Sequence, residues 1–201
     1  MKINKTIIFA MLAISLFAGC GDKDKISDKS ISMEQNNVQE TESQEVNETE
    51  FNLVTNTGKK IVVVANNKTG WRFEGLEGKA ILLDFFGTWC PPCKAEIPHL
   101  NNIRNKISDK FEIIGIDLGS RSGQPTNPDD LKAFIEKFEI KYPVTTAGDN
   151  NSLFQGVLEL NKAGSIPFML LFNAKGEFVT HYIGMVPEEM IQGDIDRILG
   201  K

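Results

Sequence analysis

Cysteine is scarce in this chain of 201 residues, with Cys20, Cys90 and Cys93 as the whole complement. Three thiols are too few for a disulfide-stapled scaffold, so the fold has to rest on an apolar core. Apolar residues make up 41% of the chain, enough for one globular domain plus extras and too little for a polytopic membrane protein. Histidine is scarcer still, with only His99 and His181. A zinc site would need two ligands beyond Cys90 and Cys93, and His99, six residues further along the same helix, would point away, so no metal is expected. A long apolar run is also missing. Thr6–Ala18 is 13 residues long and polar only at Thr6 and Ser15, short of the roughly 20 that a spanning helix needs. Basic excess is absent too. The formal net charge is −5, no basic stripe appears, and nucleic acid is not an expected partner.

The acidity is local. Residues 21–50 hold nine acids and three lysines, whereas residues 51–201 hold eighteen acids and seventeen bases. Lys2 and Lys5 ahead of a short apolar run, with small residues at its end, have the form of a secretory signal over residues 1–19. Leu16-Phe17-Ala18-Gly19-Cys20 resembles a bacterial lipobox, which implies cleavage before Cys20 and lipidation of its sulfur. Residues 20–50 then form a tether. Asp22–Glu50 has no apolar periodicity and cannot bury enough surface to offset its chain entropy, so disorder is expected. Glu45-Val46-Asn47-Glu48-Thr49 also resembles an acidic bacterial N-glycosylation sequon, though a five-residue match arises readily by chance. The folded domain is expected over 51–201.

That domain opens with two β-rich runs, Phe51–Val54 and Lys60–Ala65, around an Asn56-Thr57-Gly58-Lys59 turn, which predict a leading hairpin. Trp71-Arg72-Phe73 is a short apolar element. Ala80–Phe86 is a continuous apolar run broken only by Asp84, as suits a central strand buried on both faces. A lone carboxylate there costs several kcal/mol if ionised and unpaired. Asp84 is therefore either at a wet strand end or a partly buried proton acceptor.

Cys90-Pro91-Pro92-Cys93 follows at the start of a helical run that continues to about Lys106. Only a thiolate attacks a disulfide, and a free cysteine has a pKa near 8.5. A helix N-terminus stabilises the anion through unpaired N–H groups and its dipole, and proline suits the first turn. Two intervening residues let the sulfurs reach bonding distance. Cys90 is expected to be the exposed nucleophile, with Cys93 shielded behind it as the resolving thiol. Pro98 removes a bond to the Lys94 carbonyl, so a kink is expected.

Here the sequence resembles the thioredoxin superfamily, through Trp89-Cys90-Pro91-Pro92-Cys93-Lys94. The longer stretch Gly87–Pro98 is similar to its membrane-tethered extracytoplasmic branch, the TlpA-like and ResA-like thiol-disulfide oxidoreductases. The resemblance implies an α/β fold, with a central mixed sheet flanked by helices and the hairpin as an N-terminal extension. It makes Asp84 the buried acid beneath the active site and Glu96 the branch's active-site acid. Ile166-Pro167 at the head of the apolar run 168–172 matches the superfamily's cis-proline, which faces the sulfurs, keeps metals off them and aligns a substrate strand. By the same resemblance Trp89, Pro92, Ile166 and Gly184 border the substrate groove.

Between and beyond these motifs the pattern predicts a strand at Phe111–Leu118, a loop at Gly119–Pro128 and a helix over Asp129–Phe138 capped by Asn127. A short strand at Tyr142–Thr145 follows, then a helix around Leu153–Leu160. An Asn173–Gly176 turn leads to a return strand at Glu177–Ile183. A closing helix spans Pro187–Leu199, with Met190, Ile191, Ile195, Ile198 and Leu199 inward. The expected activity is thiol-disulfide exchange without a cofactor, by a monomer in the bacterial cell envelope, held to the membrane through the lipid at Cys20. The resemblance implies a disulfide-bearing exported protein as substrate, apocytochrome c among the candidates, and a membrane thiol carrier as electron donor. Acids near the pair disfavour thiolates and so favour the reductant direction. Copper handling, resembling the Sco group, and a disulfide oxidase or isomerase are the alternatives.

Overall fold

The computed structural model describes residues 47–107 and 109–201. The signal segment, Cys20 and the tether up to Val46 lie outside the described residues. The elements are β1 (Glu48–Thr55), β2 (Lys60–Asn66), β3 (Arg72–Phe73), β4 (Ala80–Phe86), α1 (Pro91–Lys106), β5 (Phe111–Asp117), α2 (Pro128–Lys137), β6 (Val144–Gly148), α3 (Asn150–Gly156), a 3-10 turn (Leu158–Leu160), β7 (Phe168–Phe172), β8 (Phe178–Ile183) and α4 (Glu188–Ile198).

All the strands join one mixed sheet in the order β3-β2-β1-β6-β5-β4-β7-β8. β5 runs parallel to both β4 and β6, and the other pairings are antiparallel. The predicted hairpin is β1–β2, and it extends the central sheet directly because β1 pairs with β6. β1 starts at Glu48, three residues ahead of Phe51. Glu48 is held there by Asn66 Nδ2 at 3.0 Å and by the Arg72 guanidinium at 2.9 Å.

β4 sits inside the sheet, and its pleat sorts its side chains into two layers. Ala80, Leu82 and Phe86 face a cluster with Ile97, Leu100 and Ile103 of α1 and Ile191 and Ile195 of α4. Ile81, Leu83 and Phe85 face the opposite way, against Leu53, Ile61, Phe154, Phe168 and Phe172. The inner stripe of α1 is Cys93, Glu96, Ile97, Leu100, Asn101 and Ile103, which is helical spacing. Alternation places Asp84 on the α1 side of β4, together with Leu82 and Phe86.

Four expectations need correction. Met190 is 52% exposed, because α4 turns Ile191 and Ile195 inward and leaves the neighbouring position in solvent; Ile198 and Leu199 are only partly buried. The helix placed around Leu153–Leu160 is α3 followed by a separate 3-10 turn, with Val157 N–H donating to the Phe154 carbonyl at the junction. The strand at Tyr142–Thr145 starts later, at Val144. Pro143 has no N–H to give the sheet, although its carbonyl accepts from Gly115 N–H at 2.9 Å. The fourth, the exposure of Cys90, belongs to the site below. Asn127 caps α2 as predicted, its Oδ1 accepting from Asp129 N–H at 2.9 Å.

Candidate active site

The turn from β4 into α1 is built around three small or ring-closed residues. Gly87 leaves room for the Trp89 indole, since a Cβ there would lie 2.9 Å from the ring. Its carbonyl accepts from Cys90 N–H at 2.9 Å. Pro91 and Pro92 fill the first two helical positions and bring no N–H of their own. The first backbone donor of the helix is therefore Cys93 N–H, and it reaches Cys90 Sγ at 3.3 Å. Cys90 is thus the N-cap, with its sulfur as acceptor. Any negative charge on that sulfur meets this N–H and the positive end of α1.

Cys90 and Cys93 form a disulfide, with Cα atoms 5.3 Å apart. Cys90 is 2% exposed and Cys93 3%, so the expected contrast between an open and a shielded sulfur is absent in this oxidised form. The cover over Cys90 comes from the far side of the sequence, where the Ile166 carbonyl oxygen lies 3.8 Å from its sulfur. The Ile166–Pro167 bond is cis, as predicted. One side chain that sequence reasoning missed holds this segment. Asn161, 1% exposed, donates to the Ser165 carbonyl at 2.7 Å and accepts from Ser165 N–H at 3.2 Å. Gly184 N–H donates to the Pro167 carbonyl at 2.8 Å, which puts Gly184 on the same rim. Pro92 is exposed beside the pair.

Two carboxyls are buried in the layer between β4 and α1 that also holds the disulfide. Asp84 and Glu96 are both buried, and Asp84 Oδ1 and both carboxyl oxygens of Glu96 have no hydrogen-bond partner among the described residues. Burial raises Asp84 to about 7. Burial, and then the charge of Asp84, raises Glu96 to about 9. Glu96 is thus held in the protonated form at neutral pH and Asp84 near the middle of its titration, because no donor stabilises their anions. Asp84 is neither at a wet strand end nor ion-paired, and Glu96 is not a surface carboxylate.

Tyr142 completes this buried cluster. Its hydroxyl is pushed well up by burial and then by the charges of Asp84 and Glu96. Gly115, the β5 neighbour of Asp84, makes the room: a Cβ there would lie 3.3 Å from the rings of Phe86 and Tyr142. Asn101 of α1 fixes the approach to Tyr142, donating to the Glu139 carbonyl at 2.9 Å and accepting from Lys141 N–H at 3.0 Å. Nothing local in the sequence marks Asn101, whose partners lie 38 and 40 residues away, or Tyr142, whose carboxyl neighbours belong to β4 and α1. The Trp89 indole N–H donates to the Gly119 carbonyl at 2.9 Å. Gly119 is in turn held by Asp117, whose carboxylate accepts from its N–H at 3.1 Å.

The arrangement supplies what thiol-disulfide exchange requires. A sulfur sits at a helix N-terminus, a second sulfur is bonded to it, and two buried carboxyls without hydrogen-bond partners occupy the same layer. A rim of backbone surrounds the pair.

Comparison with known proteins points the same way. A family model, the AhpC/TSA family, matches residues 35–193. Over 124 residues, 61% of this chain, the sequence is 31% identical to "Thiol-disulfide oxidoreductase ResA" of Bacillus cereus. A protein of the same name from Bacillus subtilis is 30% identical over 131 residues, 64% of this chain and 67% of the relative. The chain spans 65% of the length of the Bacillus cereus relative. Among solved structures, a thiol:disulfide interchange protein of the thioredoxin family from Chlorobium tepidum superposes with a TM-score of 0.59. It is 24% identical, over 78% of this chain and 98% of the other, a likeness of fold.

Proposed function

From a chain that belongs to the AhpC/TSA family and has a thioredoxin-like fold, we propose a thiol-disulfide oxidoreductase that reduces disulfides in protein substrates. The observation that carries this reading is the Cys90–Cys93 disulfide at the α1 N-terminus, with the unpaired carboxyl of Glu96 one turn further along the buried stripe of α1 and that of Asp84 on the β4 face packed against it.

In the reduced protein Cys90 attacks as thiolate, helped by the Cys93 N–H that already points at its sulfur. Its Sγ bonds to one sulfur of the substrate disulfide. That S–S bond breaks, and the departing substrate sulfur leaves as a thiolate and takes up a proton. Cys93 then loses its proton and attacks Cys90 Sγ. The mixed disulfide breaks, the second substrate thiol leaves, and the Cys90–Cys93 disulfide remains. Two electrons have passed to the substrate. Glu96 and Asp84 exchange the Cys93 proton, for which a carboxyl raised to about 9 is well matched to a thiol near 8.5. Pro167, Ile166, Trp89, Pro92 and Gly184 form the rim on which the substrate chain lies.

The buried acids also bias direction. Where either ionises it opposes a thiolate in the same layer, and burial opposes one throughout. That stabilises the disulfide and makes the dithiol a reductant. A potential near about −270 mV or below agrees with this reading, and one near about −120 mV contradicts it. We place the domain outside the cytoplasm, lipid-anchored through Cys20 on a tether that ends where β1 begins at Glu48. A membrane dithiol carrier returns the electrons, and an exported protein, an apocytochrome c among the candidates, is the substrate.

Trapping tests the roles. Cys93→Ala should accumulate a mixed disulfide through Cys90 that mass spectrometry detects and excess dithiol releases. If no adduct forms while Cys90→Ala is inactive, the two roles are wrongly assigned.

A further inference from the structure

The rim around Cys90 has an unusual charge pattern. Four segments meet there: 87–95, which carries the pair; 118–127, through the Trp89–Gly119 bond; 161–167, through Ile166; and 183–187, through the Gly184–Pro167 bond. Together they contain Lys94, Arg121 and Lys162, and the acids at their borders are not free surface charges: Glu96 and Asp117 are buried and Glu188 is paired with Lys106 at 3.0 Å. The folded part of the chain as a whole is nearly balanced, with eighteen acids and seventeen bases over 51–201. Lys162 is matched by Glu159 at 3.8 Å. Lys94 and Arg121 have no acidic partner among the described residues, and Arg121 is exposed.

Arg121 is also placed. Its guanidinium carbon lies 4.5 Å from the centroid of the Trp89 ring, one residue before Cys90. The ring is pinned by the Gly119 carbonyl, and Gly119 by Asp117. The loop closes on itself, with Ser120 N–H donating to the Gln124 carbonyl at 2.8 Å and Gln124 N–H to Ser120 Oγ at 3.2 Å. A guanidinium over an aromatic face is held by its charge and keeps its N–H groups for a second partner, and carboxylate is the partner that its fork fits.

We propose that Arg121 is a specificity-determining residue for the oxidoreductase reading above, on which it rests. It selects substrate segments that carry an Asp or Glu side chain within a few residues of the disulfide. The carboxylate docks on the guanidinium at the face of Trp89 while the substrate disulfide meets Cys90. Lys94, on the first turn of α1, adds to the same field.

The test uses two disulfide-bonded peptides that differ only in the residues flanking one cysteine, Asp in one and Lys in the other. The reduced protein is the reductant, and kcat/KM is measured for each. The wild-type protein should prefer the Asp peptide by about three- to tenfold at low salt, a range set by one or two exposed charge pairs, and the preference should shrink as ionic strength rises. Arg121→Glu should abolish or invert the ratio, and Arg121→Lys should keep most of it. An equal slowing of both peptides by Arg121→Glu, with the ratio intact, would mean that Arg121 only supports Trp89, and it overturns the proposal. So does a wild-type protein with no preference or a preference for the Lys peptide. If the wild type reduces neither peptide, the oxidoreductase reading fails first and this one with it.

Discussion

The two faces of β4 are one residue apart and are built for opposite ends. On one side Leu83 and Phe85 enter a dry aromatic layer in which Phe85 stacks on Phe168 at 5.6 Å and packs on Phe154 at 5.4 Å. On the other side, between Leu82 and Phe86, Asp84 enters a layer that also buries Glu96, Tyr142 and the disulfide. Burial on the first face stabilises the fold directly through apolar area removed from water. Burial on the second works against stability wherever a carboxyl must ionise, and there it sets proton affinity instead. The same sheet thus provides a rigid floor and a poised site.

The comparison is easiest to break at the sulfurs. Cys90→Ser should reduce disulfide-reductase activity to background while leaving the midpoint of thermal unfolding of the reduced protein within a few degrees. A retained rate in a peptide-reduction assay would separate activity from this face altogether. On the dry face the expected pattern is reversed. Phe85→Ala should cost about 3–5 kcal/mol in denaturant unfolding, with the rate per folded molecule largely kept. A loss of under ~1 kcal/mol would show that the aromatic layer is not what holds the sheet.

The carboxyls make stability fall with pH. The folded values, about 7 for Asp84 and about 9 for Glu96, lie above the unfolded values near 4. The folded state therefore binds more protons in the interval between, and stability declines as pH rises from about 4 to about 9. Oxidised protein should lose a few kcal/mol across that interval, and Asp84→Asn combined with Glu96→Gln should flatten the slope. An unchanged slope in the double variant would place the titrating groups elsewhere. The smallest effect is expected next to the active face, on α4. Met190→Gln should change stability by no more than about 0.5 kcal/mol, whereas Ile191→Ala, at a fully buried neighbour, should cost about 2–5 kcal/mol.

Much of this was legible in the sequence wherever the signal was local. Ala80–Phe86 reads as a buried strand from its unbroken apolar run, and Cys-Pro-Pro-Cys reads as a helix start from ring closure and the missing N–H groups. The anomaly at Asp84 left a wet strand end and a buried acid both open, because a lone carboxylate in such a run demands a reason, and the family resemblance selected the buried acid. Other features depend on tertiary partners and left no local trace. Cys90 is covered by Ile166, 76 residues away. Asn101 and Tyr142 become part of the site only when the chain after α2 docks on α1. Asn161 matters through a bond pair to Ser165 that composition does not reveal. Arg121 looks like any loop cation until Trp89 is folded beneath it. Met190 fails for a simpler reason, since an apolar residue next to a helix's inward stripe can face water at little cost.

The central claim is that the carboxyls buried in the layer of the disulfide exchange the Cys93 proton. Its most direct test is the resolution step, the release of the second thiol from a preformed mixed disulfide at Cys90, followed by stopped flow from about pH 5 to pH 10. Glu96→Gln should resolve more slowly than wild type at neutral pH and shift the profile toward that of an unassisted thiol, rising toward about 8.5. Superimposable rate profiles for the two proteins would contradict the account.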